Sequence, residues 1–182
     1  MLFKPKWLRN IATFPSIALS ERPIAFVERY NYLGHNLSSD LHDDMDISEQ
    51  VRKLYTVGNA LIRKFNFCAD NVKCELFRAY CNSLYCSALW CKFKHVTVRK
   101  LKVCHNGILR RLLDISLPYS ASDMFVQHRL RDLDALLRNS MFSLRSRLHE
   151  SNNCLIMAII AWTHYGQNPL HKHWMKCLYV SN

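Results

Sequence analysis

Turn-forming residues are what this 182-residue chain holds least of, with four glycines and five prolines. A β-sandwich or barrel reverses direction every ~10 residues and spends Gly and Pro at those reversals. Their scarcity excludes that architecture and predicts long helices. Hydrophobic residues make up 49% and charged residues 21%, the balance of a folded chain rather than a disordered one. The length suffices for one domain with a real core or for two small lobes.

The punctuation is unevenly spread. Pro5, Pro15 and Pro23 fall within the first 39 residues. There the apolar runs Ile17-Ala18-Leu19 and Ile24-Ala25-Phe26-Val27 flank Ser20-Glu21-Arg22-Pro23, which predicts a hairpin, with a further strand from Tyr30 to His35. After Asp40 the apolar period becomes helical. Ile47, Val51, Leu54, Leu61 and Phe65 share one face, and Asp43, Asp44, Asp46 and Glu49 stand at its start, where carboxylates suit the positive helix end. A second helix is expected over about 71–90 with Val72, Leu76, Tyr80 and Leu84 inward. A third covers about 96–113 through Leu101, Cys104, Ile108 and Leu112. Past Leu117-Pro118, a short helix at 123–129 precedes one at 132–149 carrying Leu133, Leu137, Met141, Leu144 and Leu148. A last helix spans 155–165. The expected fold class is mainly α: a small β element over 1–39, a helical body over 40–165 and an irregular tail over 166–182.

Lys and Arg total 25 against 14 Asp and Glu, a net charge of +11. That excess favours a polyanionic partner, nucleic acid being the commonest, although a basic surface also serves solubility alone. Eight cysteines would frame a small secreted domain with disulfides. The opening MLFKPKWLRNIATFPSIALS has no apolar run of signal-peptide length. The most apolar later run, Cys154 to Trp162, is about half the ~20 residues that cross a bilayer. The expectation is therefore a cytoplasmic or nuclear protein, not secreted, with reduced thiols and no membrane partner.

Few residues offer catalytic chemistry. Asp43-Asp44 is the one Asp-Asp pair, and its place at a helix start favours dipole pairing over metal binding. Cys81, Cys86 and Cys91 stand five positions apart and so point to different sides of a helix, unlike close zinc-ligand pairs. His164, His171, His173 and Cys177 form the nearest candidate zinc cluster, against which stand ordinary surface histidines and a packed thiol. Cys104 and His105 are adjacent, but neighbours on a helix diverge by about 100° and do not face each other. Glycine-rich phosphate loops and nucleophile elbows are absent. No catalytic residue, metal ligand or cofactor is assigned. The basic residues Arg52, Lys53, Arg63, Lys64, Lys92, Lys94, Arg99, Lys100, Lys102, Arg110 and Arg111 are the candidate nucleic-acid contacts, the alternative being a solvated face. Trp90 and Phe93 lie among them, and Trp90 reads as core.

One ordered series of segments spans about a hundred residues. Tyr32-Leu33-Gly34-His35 is followed by an acidic loop and Arg52-Lys53-Leu54-Tyr55, then by Leu61-Ile62-Arg63-Lys64-Phe65. Val72-Lys73 to Leu76-Phe77-Arg78, Ser83-Leu84-Tyr85 to Leu89-Trp90, and Lys100-Leu101 to Leu112-Leu113 continue it. This order resembles the non-LTR (LINE-type) retrotransposon reverse transcriptases in the portion after the catalytic palm, over roughly residues 1–130. The start Met1-Leu2-Phe3-Lys4-Pro5-Lys6 resembles a strand that the family carries just past its active site.

The resemblance implies that residues 1–39 are the palm edge, with Tyr32, Leu33 and Gly34 as a primer-grip-like turn. It implies that the helices from about Asp46 are thumb and connection, packing on a primer–template duplex. The family's aromatic-x-Asp-Asp hairpin has no counterpart here, so a noncatalytic fragment of an RNA-directed DNA polymerase is expected, binding RNA–DNA or DNA duplex. Half a palm would leave apolar surface near residues 1–39 and favour self-association. A helical protein-interaction module and a decayed reading frame without selected activity are the alternatives.

Overall fold

The computed structural model describes residues 17–162 and 164–179. The segment Met1–Lys6 lies outside them. The chain is mostly helical behind two small antiparallel hairpins, in the order β1 (Ala18–Leu19), β2 (Arg22–Pro23), β3 (Arg29–Tyr32), β4 (His35–Ser38) and seven helices. The helices are α1 (Asp44–Phe65), α2 (Asp70–Cys81), α3 (His95–Leu112), α4 (Ala121–Gln127), α5 (Leu133–His149), α6 (Cys154–Ala161) and α7 (Pro169–Tyr179). No helix among the described residues is long and apolar enough to cross a membrane.

The expected first hairpin forms more tightly than the apolar runs suggested. Ala18 pairs with Pro23 and Leu19 with Arg22 around Ser20 and Glu21, both at positive φ. The segment from Tyr30 to His35 is not one strand. It folds back at Leu33-Gly34, so that Arg29–Tyr32 pairs with His35–Ser38. Ile17, Leu19, Ile24, Tyr30 and Leu33 are exposed, so the apolar surface expected along this edge is present.

The main core lies between α1 and α3. Ile47, Leu54 and Leu61 meet Leu101, Cys104, Ile108 and Leu112, all buried and all on the faces that the 3.6-residue period assigned. The two helices approach closely because Gly58 has no side chain. A Cβ there would sit 2.6 to 2.7 Å from three carbons of Ile108.

The second helix departs from expectation in both face and length. Val72 and Tyr80 are exposed, while Lys73, Cys74, Phe77 and Cys81 are buried. Phe77, with no exposed surface, fixes this rotation by packing against the His105 ring, which also stacks on Phe125. The helix ends at Cys81 rather than continuing to Trp90. His105 Nε2 meets Asn82 Oδ1 at 3.1 Å, and Cys86 adopts φ +58, so residues 82–94 run as an irregular connection with one 3₁₀ turn at Ser87–Leu89.

That turn seats a second, smaller core. Ala88, Met141 and Trp174 are buried together, with Leu137, Leu144, Leu148 and Leu170 around them. Trp174 donates its indole N–H to the Ala88 carbonyl at 2.8 Å. The tail expected to be irregular is thus corrected: residues 169–179 form α7, because Trp174 supplies an anchor that an 11-residue helix needs from tertiary packing. The expected helix at 155–165 is shorter, α6 ending at Ala161.

Gly58→Ala is expected to destabilise the chain by roughly 1–3 kcal/mol despite alanine's higher helix propensity, because the added methyl overpacks the α1–α3 contact. Urea denaturation of Gly58→Ala, Ile108→Ala and the double variant checks this. The double variant should be more stable than the sum of the single losses predicts.

Candidate nucleic-acid interface

The turn at Tyr32-Leu33-Gly34 closes β3 on β4 with two residues at positive φ, Leu33 at 49° and Gly34 at 81°. This geometry matches the twist of a two-residue hairpin, and glycine adopts it without steric cost. Asn31 Oδ1 accepts from the Gly34 N–H at 3.1 Å and braces the loop. Tyr32 and Leu33 project into solvent, whereas Gly34 lies against Tyr85, whose ring a Cβ would approach to 3.3 Å.

The hairpin is fastened to the helices through a buried carboxylate. Asp46, in the first turn of α1, has no exposed surface. Its Oδ2 faces His35 Nδ1 at 3.0 Å and accepts from the Trp90 indole N–H at 2.8 Å, and its Oδ1 accepts from the Asn36 backbone N–H at 3.1 Å. Burial alone would raise the Asp46 carboxyl, but the hydrogen bonds from His35, Trp90 and Asn36 outweigh it and hold the group below its ordinary value. The hydrogen bond to Asp46 raises His35 in turn, against the effect of burial.

The rest of the acidic loop serves the same joint. Asp43 Oδ2 accepts from the backbone N–H groups of Cys91 and Lys92 at 2.8 Å each, and its own N–H donates to the Lys92 carbonyl. Asp44 Oδ1 accepts from the Lys94 N–H at 2.9 Å and from the Thr97 hydroxyl. Asp43 and Asp44 therefore stitch the start of α1 to the connection entering α3. They point at protein donors rather than at a shared metal position.

A groove of about 390 Å³ opens beside the turn, lined by Gly34, Gln50, Lys53, Tyr80 and Tyr85 among others. It brings the Leu33-Gly34 turn together with one candidate cation, Lys53. Both tyrosine rings are more than half exposed. Periodicity assigns Tyr80 inward, and Tyr85 lies in the irregular connection after α2. No local pattern could have paired them with Gly34.

The eleven candidate cations divide by what already holds them. Arg52 pairs with Glu49, and Lys102 with Asp134. Lys92 Nζ donates to the Asp40 carbonyl. Arg110 ties down the 116–119 loop through the carbonyls of Ser116 and Tyr119, and Arg111 donates to Asn59 Oδ1 at 3.2 Å. Lys53, Arg63, Lys64, Lys94, Arg99 and Lys100 are exposed and form no salt bridge or side-chain hydrogen bond among the described residues, although Lys53 lies near the Glu49 carboxylate and Lys94 near that of Asp44. Lys53 lies on the groove side of α1, and Arg99 and Lys100 lie on the outer face of α3.

The thiols and histidines are arranged for packing. Burial pushes Cys81 up to about 12 and Cys104 up to about 11, so neither is a ready nucleophile. His105 is fully buried and pushed down to about 4 by desolvation. Of the C-terminal group, His173 contacts Cys177 at 3.5 Å while His171 packs on Tyr165. No three metal-ligating side chains converge among the described residues. Neither a family model nor a curated protein nor a solved structure matches the chain.

The His35–Asp46 pair makes stability depend on pH in a defined window. His35 is raised above its ordinary 6.5, so its contribution is complete below 6.5 and lost as pH rises through its folded value. Asp46 is lowered below 3.8, so its contribution is present above 3.8 and lost as pH falls through its folded value. Thermal unfolding across pH should show a plateau between those limits and a decline on the alkaline side. His35→Gln is expected to lower the plateau and abolish that alkaline decline.

Proposed function

We propose that this chain is a noncatalytic, post-palm portion of a non-LTR retrotransposon reverse transcriptase that binds nucleic-acid duplex through its basic helix faces. The observation that carries the reading is the position of Tyr32-Leu33-Gly34. The motif stands at the tip of a hairpin, beside a groove that also holds Lys53 and two exposed tyrosines. In the proposed roles, the hairpin is the palm edge with a primer-grip-like turn, and α1 to α3 are thumb and connection.

Phosphate binding by this surface follows from its charge. Six exposed cations form no salt bridge among the described residues, and cations that meet phosphates release condensed counterions when they do. Arg52, Lys92, Lys102, Arg110 and Arg111 contribute less in this reading, since a phosphate would first have to displace an existing acceptor. The five helical cations Lys53, Arg63, Lys64, Arg99 and Lys100 are the primary proposed contacts. Two-metal phosphoryl transfer needs clustered carboxylates, and Asp43, Asp44 and Asp46 are committed to the fold.

Fluorescence anisotropy against a labelled RNA–DNA hybrid at several salt concentrations tests the binding. Affinity should fall steeply with salt, and alanine at Lys53, Arg63, Lys64, Arg99 or Lys100 should each reduce the log–log slope by about 1. Lys102→Ala should leave that slope unchanged. Absence of binding at low salt by the folded chain would sink the proposal in favour of a protein-interaction module or a relic frame. A primer-extension assay with magnesium is expected to show no template-dependent product from the chain alone. Extension would overturn the noncatalytic assignment.

A further inference from the structure

On the buried stripe of α1, between Ile47 and Leu54, stands one amide, Gln50. Only 5% of it is exposed, and its Nε2 is enclosed without a hydrogen-bond acceptor among the described residues. Folded interiors rarely leave such a donor unmet, because it gives up water and gains nothing in exchange. Gln50 also lines the groove of about 390 Å³ beside the Leu33-Gly34 turn. The orphaned donor and the groove therefore coincide at one residue.

The rest of the lining has a chemistry to match. It contains no carboxylate, and Lys53, three residues along α1 from Gln50, supplies a cation on the same face. Tyr85 is 53% exposed and lies against Gly34, and its ring stacks on no other ring or cation among the described residues. Leu54 and Leu84 add apolar surface. A small, mostly apolar concavity with a few polar groups is the form of a site for one small ligand. This set calls for a ligand that is planar, offers an acceptor on its edge and carries an anion. A nucleotide has all three, since every base presents a π face and an edge acceptor, and the phosphate is charged. A peptide would want a strand edge to pair with, and the lining comes from α1, α2, the connection after α2 and one turn residue.

We infer that this groove takes a single unpaired nucleotide, whose base stacks on Tyr85 and accepts from the Gln50 amide while its phosphate meets Lys53. The inference rests on the nucleic-acid reading of this face but names a different occupant, a nucleotide outside the duplex. Stacking and one amide tolerate any base, so the site selects for an unpaired base rather than for a sequence. With so few contacts, an isolated mononucleotide binds weakly, with a dissociation constant in roughly the millimolar range.

Titration of the ¹⁵N-labelled chain with adenosine 5′-monophosphate to about 10 mM, followed by NMR, tests this. The Gln50 side-chain amide signal, identified by its loss in Gln50→Met, and the Gly34 backbone amide should shift together and saturate. Ribose 5-phosphate should leave the Gln50 signal in place. Gln50→Met should weaken binding, read at Gly34, by about tenfold, while thermal stability stays equal or rises because the unmet donor is gone. Tyr85→Phe should bind as the native chain does, and Tyr85→Ala should not bind. No saturable shift, an equal shift with ribose 5-phosphate, or unchanged affinity in Gln50→Met overturns the inference. A blunt RNA–DNA hybrid that binds a chain indifferent to the mononucleotide would refute this site and leave the duplex reading standing. Mononucleotide binding without hybrid binding would do the reverse.

Discussion

A single buried carboxylate joins the two halves of this fold. Asp46 sits where an ionised group would be costly if it were unpaired, and it is supplied with donors from two other places in the chain. His35 and Asn36 come from β4, Trp90 from the connection before α3, and Asp46 itself from α1. Removing the carboxylate would strand the Trp90 indole N–H and the Asn36 amide together. The hairpin buries little apolar surface of its own, so its orientation on the helices depends on these polar contacts more than on packing. The proposed primer-grip-like turn inherits its position from that joint.

The same economy governs the acidic loop. Asp40, Asp43 and Asp44 resemble a solvated charge cluster on paper, yet they engage Ser38, Cys91, Lys92, Lys94 and Thr97. Five of the eleven candidate basic residues are likewise committed to the fold, which leaves the other six without a salt bridge. Net charge alone does not distinguish these classes. A cation that closes a loop and a cation that waits for phosphate count equally in a sum.

Legibility along the chain follows how local each determinant is. Helices α1, α3 and α5 were evident because each presents an unbroken apolar stripe, from Ile47 to Leu61, from Leu101 to Leu112 and from Leu133 to Leu148. For helix α2 the regular stripe Val72, Leu76, Tyr80 and Leu84 misleads in part, since Leu76 and Leu84 pack on the core while Val72 and Tyr80 face solvent. The choice fell to Phe77, whose partners His105 and Phe125 are distant in sequence. The irregular tail became α7 for a comparable reason, since Trp174 gains its place only from Ala88 and Met141.

By itself, the sequence determined a helical body behind a short β element and a strongly basic charge balance. Each is written in residues that act on their near neighbours or in sums that need no geometry. Tertiary structure alone decided that Gly34 meets Tyr85, that Asp46 joins His35 to Trp90, and which lysines remain free. Those outcomes depend on pairings across 11 to 52 positions. Backbone geometry relays no preference over such distances, so packing has to choose among partners that look equivalent in one dimension.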